Sequence, residues 1–186
     1  MKATIVTAPA TEPVTLAEAK SHLRVDISDD DTLIGTLIET ARIHAENITR
    51  RKFIEQTWDF FFDKFPGDEI IVPFGSLTSV TSVKYIDSDG VTNTWDSESY
   101  IVDTDSEPGR VLPEYGESFP SDSLYNSNPV IVRAVLGYGD VPAPIKAAIL
   151  LILADLYEIR EPGVVGTIYT PTKTVENLLA SYRLFL

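Results

Sequence analysis

The chain has 186 residues, 44% hydrophobic and 23% charged, which fits one globular domain or one domain with an insert. The absence of cysteine excludes disulfides, thiolate catalysis and zinc–thiolate sites, and suits an intracellular protein. A net charge of −13 disfavours tight binding to nucleic-acid phosphates, which depends on clustered lysine and arginine.

The first residues carry one lysine and a three-residue apolar patch, too little for a secretory signal. The longest apolar run, residues 147–154, is far short of the roughly 20 needed to span a bilayer, so a soluble protein is expected. Thr15 and Glu18 have the spacing of a capping box, and Leu16, Ala19 and Leu23 recur at helical steps. A longer helix follows. Ser28 is its expected N-cap, and Asp29, Asp30 and Asp31 complement the positive end of the helix dipole. Leu33, Ile34, Leu37, Ile38, Ala41, Ala45 and Ile48 form one apolar stripe.

Arg50, Arg51 and Lys52 are placed by this reading in the last turn, where cations stabilise the helix end. They also form the only basic cluster of the chain. A second reading pairs them with acidic residues of a neighbouring subunit, since opposite patches on one chain favour self-association.

From Phe53 the pattern changes to aromatic and β-branched residues punctuated by Pro66-Gly67. Residues 77–95 read as strand, turn at Asp87–Gly90, and strand. Residues 99–112 and 128–138 supply two more, for about five or six strands, the size of a single sheet. The polar stretch 113–128 between them is expected to be a mobile or interface loop.

Pro142 and Pro144 then open a helix whose residues 145–157 are apolar almost all round, which predicts a central, buried position. Pro162-Gly163 ends it, and residues 163–172 read as a loop. A last helix starts at Thr174, with Val175, Leu178, Leu179 and Tyr182 on one face.

The expected fold is α+β: a small bundle of about four helices interrupted by an antiparallel β insert. Residues 13–52 form the first half of the bundle, 53–138 the insert, and 139–186 the second half. The charge follows this plan. Residues 53–140 carry four basic and sixteen acidic side chains, a net of −12, so the acidity sits almost wholly in the insert. Solvation explains most such excesses.

Chemistry-bearing patterns are few. His22 and His44 lie on predicted helices without metal-motif spacing. Asp87–Gly90 resembles the start of a calcium loop but lacks the later ligands, so a hairpin turn is expected. Asp103 and Asp105 read as an exposed strand end. No Gly-x-Ser-x-Gly elbow and no phosphate loop is present. In "LGYGDVPAPIKAAILLIL", Gly137 and Gly139 precede Asp140, whose charge would repel a phosphate. The glycines read instead as a joint between sheet and helix. No metal, cofactor or catalytic residue is assigned. An enzyme, for example a carbohydrate-active one using the acidic insert, is the weakest alternative.

Several stretches together resemble one family: "PVTLAEAKSHLRVD", "DDDTLIGTLIETARIHAENITRRKFIEQTWD", "SVKYIDSDG", "YGDVPAPIKAAILLILADLYEIRE" and the closing "LLASYR". In this order they are similar to the head–tail connector (adaptor, or head-completion) proteins of long-tailed bacteriophages and phage-derived gene-transfer particles. The resemblance implies a non-enzymatic virion protein at the head–tail interface, assembled in the host cytoplasm. It implies a ring, dodecameric to match the portal protein beneath which it sits. That ring would extend the DNA channel without binding DNA tightly, meet no membrane, and offer a platform to stopper or tail-completion proteins. A tail-completion or other tail-interface protein is the alternative within the particle. The family's carboxy-terminal segments suggest Tyr182, Arg183, Leu184, Phe185 and Leu186 as the portal- or partner-binding candidates, against packing of that tail on its own bundle.

Overall fold

A computed structural model describes residues 2–159 and 173–185, which form two compact units. One comprises residues 1–10, 54–139 and 184–186; the other comprises 11–53 and 140–183.

The second unit is helical. Its helices are α1 (Leu16–Leu23), α2 (Asp31–Thr49), α3 (Ala143–Glu158) and α4 (Thr174–Leu179). Thr15 caps α1 as its sequence spacing predicts. The Glu18 N–H donates to Thr15 Oγ1 at 3.2 Å, and the Thr15 N–H donates to Glu18 Oε2 at 2.7 Å. Two orphan backbone donors of the first turn are thereby satisfied. At α2 the N-cap is Asp30, not Ser28; Ser28 contributes only its carbonyl, which accepts from the Asp31 N–H at 3.1 Å. Asp30 Oδ2 instead accepts a 2.6 Å hydrogen bond from the Tyr157 hydroxyl on α3.

The apolar stripe of α2 is buried at Ile34, Ile38, Ala41 and Ala45. Helix α3 touches each of the other three helices and buries Ile145, Ala148, Ile149, Ile152 and Leu153. It is central as expected, although Leu156 remains on the surface. Burying each isoleucine or leucine among them contributes about 1.5–3 kcal/mol. The last helix is shorter than its pattern suggests. It stops at Leu179, continues as a 3₁₀ turn over Ala180–Tyr182, and gives way to extended chain at Arg183. The predicted end of α3 at Pro162-Gly163 and the loop 163–172 lie outside the described residues.

The first unit is a two-layer β structure. A five-stranded antiparallel sheet has the order β1-β2-β8-β4-β5, with β1 (Lys2–Thr7), β2 (Gln56–Phe62), β4 (Leu77–Ile86), β5 (Thr92–Trp95) and β8 (Val130–Leu136). A three-stranded sheet has the order β3-β7-β6, with β3 (Ile70–Ile71), β6 (Tyr100–Asp103) and β7 (Arg110–Pro113). Two layers replace the single sheet expected from the sequence. The stretch 99–112, read as one strand, is a hairpin, and the amino-terminal patch is a strand of its own.

Alternation sorts the faces. On β8, Val130, Val132, Ala134 and Leu136 are buried, and the residues between them are not. Phe60, Val83, Val132, Ala134 and Leu136 meet Ile70, Tyr100 and Val111 of the smaller sheet in one core. An aromatic group of Phe65, Trp95, Tyr100 and Phe119 closes one end.

Phe119 belongs to the long acidic connection. The Ser88 N–H donates to the Ser123 carbonyl, and the Tyr125 N–H to the Ile86 carbonyl. A segment whose composition reads as a loose loop is therefore tied, through Ser123 and Tyr125, to the end of β4 and the turn after it. Asp87 behaves as a turn residue: its carboxylate accepts from the N–H groups of Asp89 and Val91 and from the Asn93 amide, and these bonds hold its pKa below the ordinary value.

Gly137 ends β8 with φ +136°, and a Cβ there would lie 2.5 Å from the backbone nitrogen of Glu55. Only glycine fits so close an approach. A Cβ at Gly139 would meet nothing within 4 Å, so Gly137 and Gly139 are not equivalent.

Candidate functional site

The basic cluster does not form one patch. Helix α2 ends at Thr49, one residue before it, and Arg50 is the C-cap in the left-handed region at φ 56°. The three cations are therefore not in the last turn. Reversal of the chain at Arg50 sends the side chains apart. Arg50 is exposed. Arg51 is 8% exposed and its Nε–H donates to the Tyr182 carbonyl. Lys52 Nζ lies 3.2 Å from Glu46 Oε2.

Glu46 is the centre of a buried ionic chain that sequence reading did not identify. Its side chain is 2% exposed, and its Oε1 accepts from the Phe53 N–H at 3.0 Å and lies 3.4 Å from Arg42 Nη1. Arg42 in turn grips Glu12 through two bonds, Nε–Oε2 at 2.7 Å and Nη2–Oε1 at 3.1 Å. Burial works against the Arg42 charge. The hydrogen bonds and field of Glu12 and Glu46 outweigh it and hold the guanidinium above its ordinary pKa. Signs alternate along Glu12, Arg42, Glu46 and Lys52, so no charge is left uncompensated. The signal in the sequence is the i,i+4 pair Arg42–Glu46 on the otherwise apolar face of α2.

Among the carboxy-terminal candidates, Tyr182 is half-buried and binds Arg51 through its carbonyl. The two sets of predicted residues thus meet inside one subunit at Arg51 and Tyr182. Arg183 is exposed, Leu184 is 5% exposed, and Phe185 is 79% exposed. Leu186 lies outside the described residues. Within the tail, Arg183 and Phe185 are therefore exposed, whereas Leu184 is buried.

In the β unit, acid is partly neutralised in place. Asp59 and Arg133 face each other across β2 and β8 and form two bonds of 2.8 Å. Arg110 pairs with Asp103 at 2.9 Å across β6 and β7, and with Glu69 at 2.8 Å. The Ser106 hydroxyl and then Arg110 hold the Asp103 carboxyl well below the ordinary value. These bonds make Asp103 a strand-end residue.

His22 and His44 lie on the exposed surfaces of α1 and α2. Among the described residues no group of three or more His, Asp or Glu side chains is arranged to hold a metal ion, and no helix is long and apolar enough to cross a membrane. Among the described residues, two surface hollows stand out. One, of about 500 Å³, lies beside Phe62, Pro66, Ile71 and Pro73 of the β unit. The other, of about 640 Å³, lies between α2, α3 and α4 and includes His44, Ile48, Leu151 and Leu156.

Comparison with solved structures finds the fold along the whole chain. A protein from the neck of an empty GTA particle, computed with C6 symmetry, superposes with a TM-score of 0.83 at 20% identity, covering 100% of this chain and 97% of that one. A protein from the virion of a native gene transfer agent (GTA) particle gives a TM-score of 0.83 at 19% identity with the same coverage. One from the neck of a native GTA particle, computed with C12 symmetry, gives 0.82 at 20% identity, again with the same coverage. No curated protein sequence matches significantly. The family model of the phage gp6-like head-tail connector proteins matches residues 13–107, just over half of the sequence. The match includes the capped helix α1, the ionic residues Arg42, Glu46 and Lys52, and the five strands β2 to β6 that follow, and on this ground the chain belongs to the phage gp6-like head-tail connector protein family.

Proposed function

We propose that this protein is a structural adaptor of a phage-like particle: one subunit of a ring seated beneath the portal protein at the head–tail junction. The ring lengthens the channel through which DNA passes and gives stopper or tail-completion proteins a surface to dock on. The observation that carries this reading is the family membership itself. Whole-chain similarity in fold to proteins of GTA necks and virions supports it.

The chemistry of the chain agrees. A channel must let DNA slide, and an excess of thirteen negative charges opposes the counterion-releasing contacts that hold DNA. The role requires no reaction, and we assign no catalytic residue. Within the ring, Arg50 is the exposed cation available to a neighbour's acidic β unit, and Arg183 and Phe185 are the exposed candidates for the portal. An exposed aromatic beside an arginine is the composition of a binding anchor.

Complementation tests the function. Particles produced without this protein are expected to contain filled heads that fail to join tails. Purified protein added to those heads should restore joining. Tailed, infectious or transferring particles made in its absence would refute the role.

A further inference from the structure

The five-stranded sheet has two open ends. Strand β1 pairs only with β2, and β5 pairs only with β4. Among the described residues neither outer edge meets another strand. Open edges display alternate N–H and C=O groups to any chain that can align with them, and proteins usually blunt them with proline, inward charge or bulges. Here the protection is incomplete. Strand β1 reads Lys-Ala-Thr-Ile-Val-Thr, rich in β-branched residues, without proline, and with Ile5 48% and Val6 45% exposed. Its register with β2 is regular from Lys2 to Ile5 and slips only between Ile5 and Thr7. The regular edge is thus four residues long, as is β5, Thr92–Trp95.

From these features we infer that the outer edge of β1 pairs with the outer edge of β5 on a neighbouring copy, so that the sheet continues from subunit to subunit. The inference rests on the ring reading above and supplies its contact. Four successive antiparallel pairings separate β1 from β5, so the two strands run in the same direction. Joining β1 of one copy to β5 of the next is a head-to-tail contact, the kind that closes into a ring. Joining β1 to β1 is two-fold and stops at a dimer.

Charge favours the head-to-tail choice. Lys2 begins β1, whereas Asp87 and Asp89 precede β5, and Asp96 and Glu98 follow it. Pairing β1 with itself gives Lys2 no acid from the same segment.

Cross-linking reads this contact directly, because the natural chain has no cysteine. Thr4 and Thr94 project from the same face of the sheet by register: Thr4 aligns through Asp59 and Arg133 with Ser82, and Thr94 aligns with Lys84, two residues along. A continuous sheet keeps them on one face across the contact. The variant carrying Thr4→Cys and Thr94→Cys, mixed with purified portal and oxidised with a copper–phenanthroline reagent, is expected to give a ladder of dimers, trimers and larger species. Each single variant should give no ladder.

Dimers from Thr4→Cys alone would overturn the inference in favour of a two-fold β1 contact. Rings visible by electron microscopy without a ladder would overturn the inference and leave the adaptor reading standing. Absence of rings in the wild-type mixture would overturn both. As a second measurement, Ile5→Lys should raise the concentration at which rings form by about tenfold, the scale of losing one or two cross-strand pairs. Its unfolding should match that of the wild type. Unchanged ring formation by a folded Ile5→Lys protein would also overturn the inference.

Discussion

Gly137→Ala is expected to damage the β unit far more than Gly139→Ala, although the two glycines stand two residues apart in one motif. At Gly137, φ is +136°, and a Cβ would lie 2.5 Å from Glu55 N, 2.6 Å from the Ile54 carbonyl carbon and 2.7 Å from Glu55 Cα. All three are backbone atoms and cannot swing aside. The conformation costs an L-residue about 1–3 kcal/mol. Relief of the overlap by shifting the start of β2 costs about 1–3 kcal/mol more. Reduced freedom of the unfolded chain returns about 0.4–1 kcal/mol. The net loss is about 3 kcal/mol, or roughly 6–12 °C in melting temperature for a chain of this length.

Gly139 has no atom within 4 Å of a built Cβ, and its φ lies outside the left-handed region, so alanine there should be neutral or slightly stabilising. Urea unfolding followed by tryptophan fluorescence is the assay, because the only two tryptophans, Trp58 and Trp95, both lie in the β unit. Equal midpoints for the two variants, or a Gly137→Ala protein as stable as the wild type, would refute the reasoning.

Removing one member of the buried ionic chain should be costly. Glu46→Gln takes the countercharge from Lys52 and weakens the support of Arg42, and a loss of about 2–4 kcal/mol by urea unfolding is expected. Ser76 has φ +69° and a buried hydroxyl without a hydrogen-bond partner, so Ser76→Gly should leave stability unchanged or raise it by about 1 kcal/mol; a clear loss would contradict this account. Arg51→Gln should lower thermal stability because Arg51 holds the Tyr182 carbonyl, whereas Arg50→Gln should leave melting unchanged and weaken ring assembly and its salt dependence. The depressed pKa of Asp103 gives a stability contribution present in full above the ordinary carboxylate value of 3.8 and lost as pH falls through the lower folded value. Melting temperatures measured between neutral pH and pH 2 should therefore fall less steeply in that acid window for Asp103→Asn than for the wild type.

The helices were legible because their signals are local. Thr15 and Glu18 announce a capping box, and the stripe from Ile34 to Ala45 repeats at helical steps. The Asp87–Gly90 hairpin was legible for the same reason: one carboxylate satisfies its own turn. What was not legible depends on contacts distant in sequence. Strand β1 exists because β2, more than fifty residues on, offers it a partner. Its short apolar patch carries too little pattern alone.

The basic cluster misled for a related reason. Composition groups Arg50, Arg51 and Lys52, but the left-handed turn at Arg50 splits them, and Glu46 and the Tyr182 carbonyl claim two of the three. Similarly, the apolar tail reads as one unit, yet Leu184 is buried and Phe185 is exposed.

The adaptor role is tested most directly by mixing the purified protein with purified portal and imaging the product by electron microscopy. The account predicts a ring of this protein stacked coaxially on the portal, with one copy for each portal subunit. A protein that leaves the portal bare and binds the tail tube instead would contradict it.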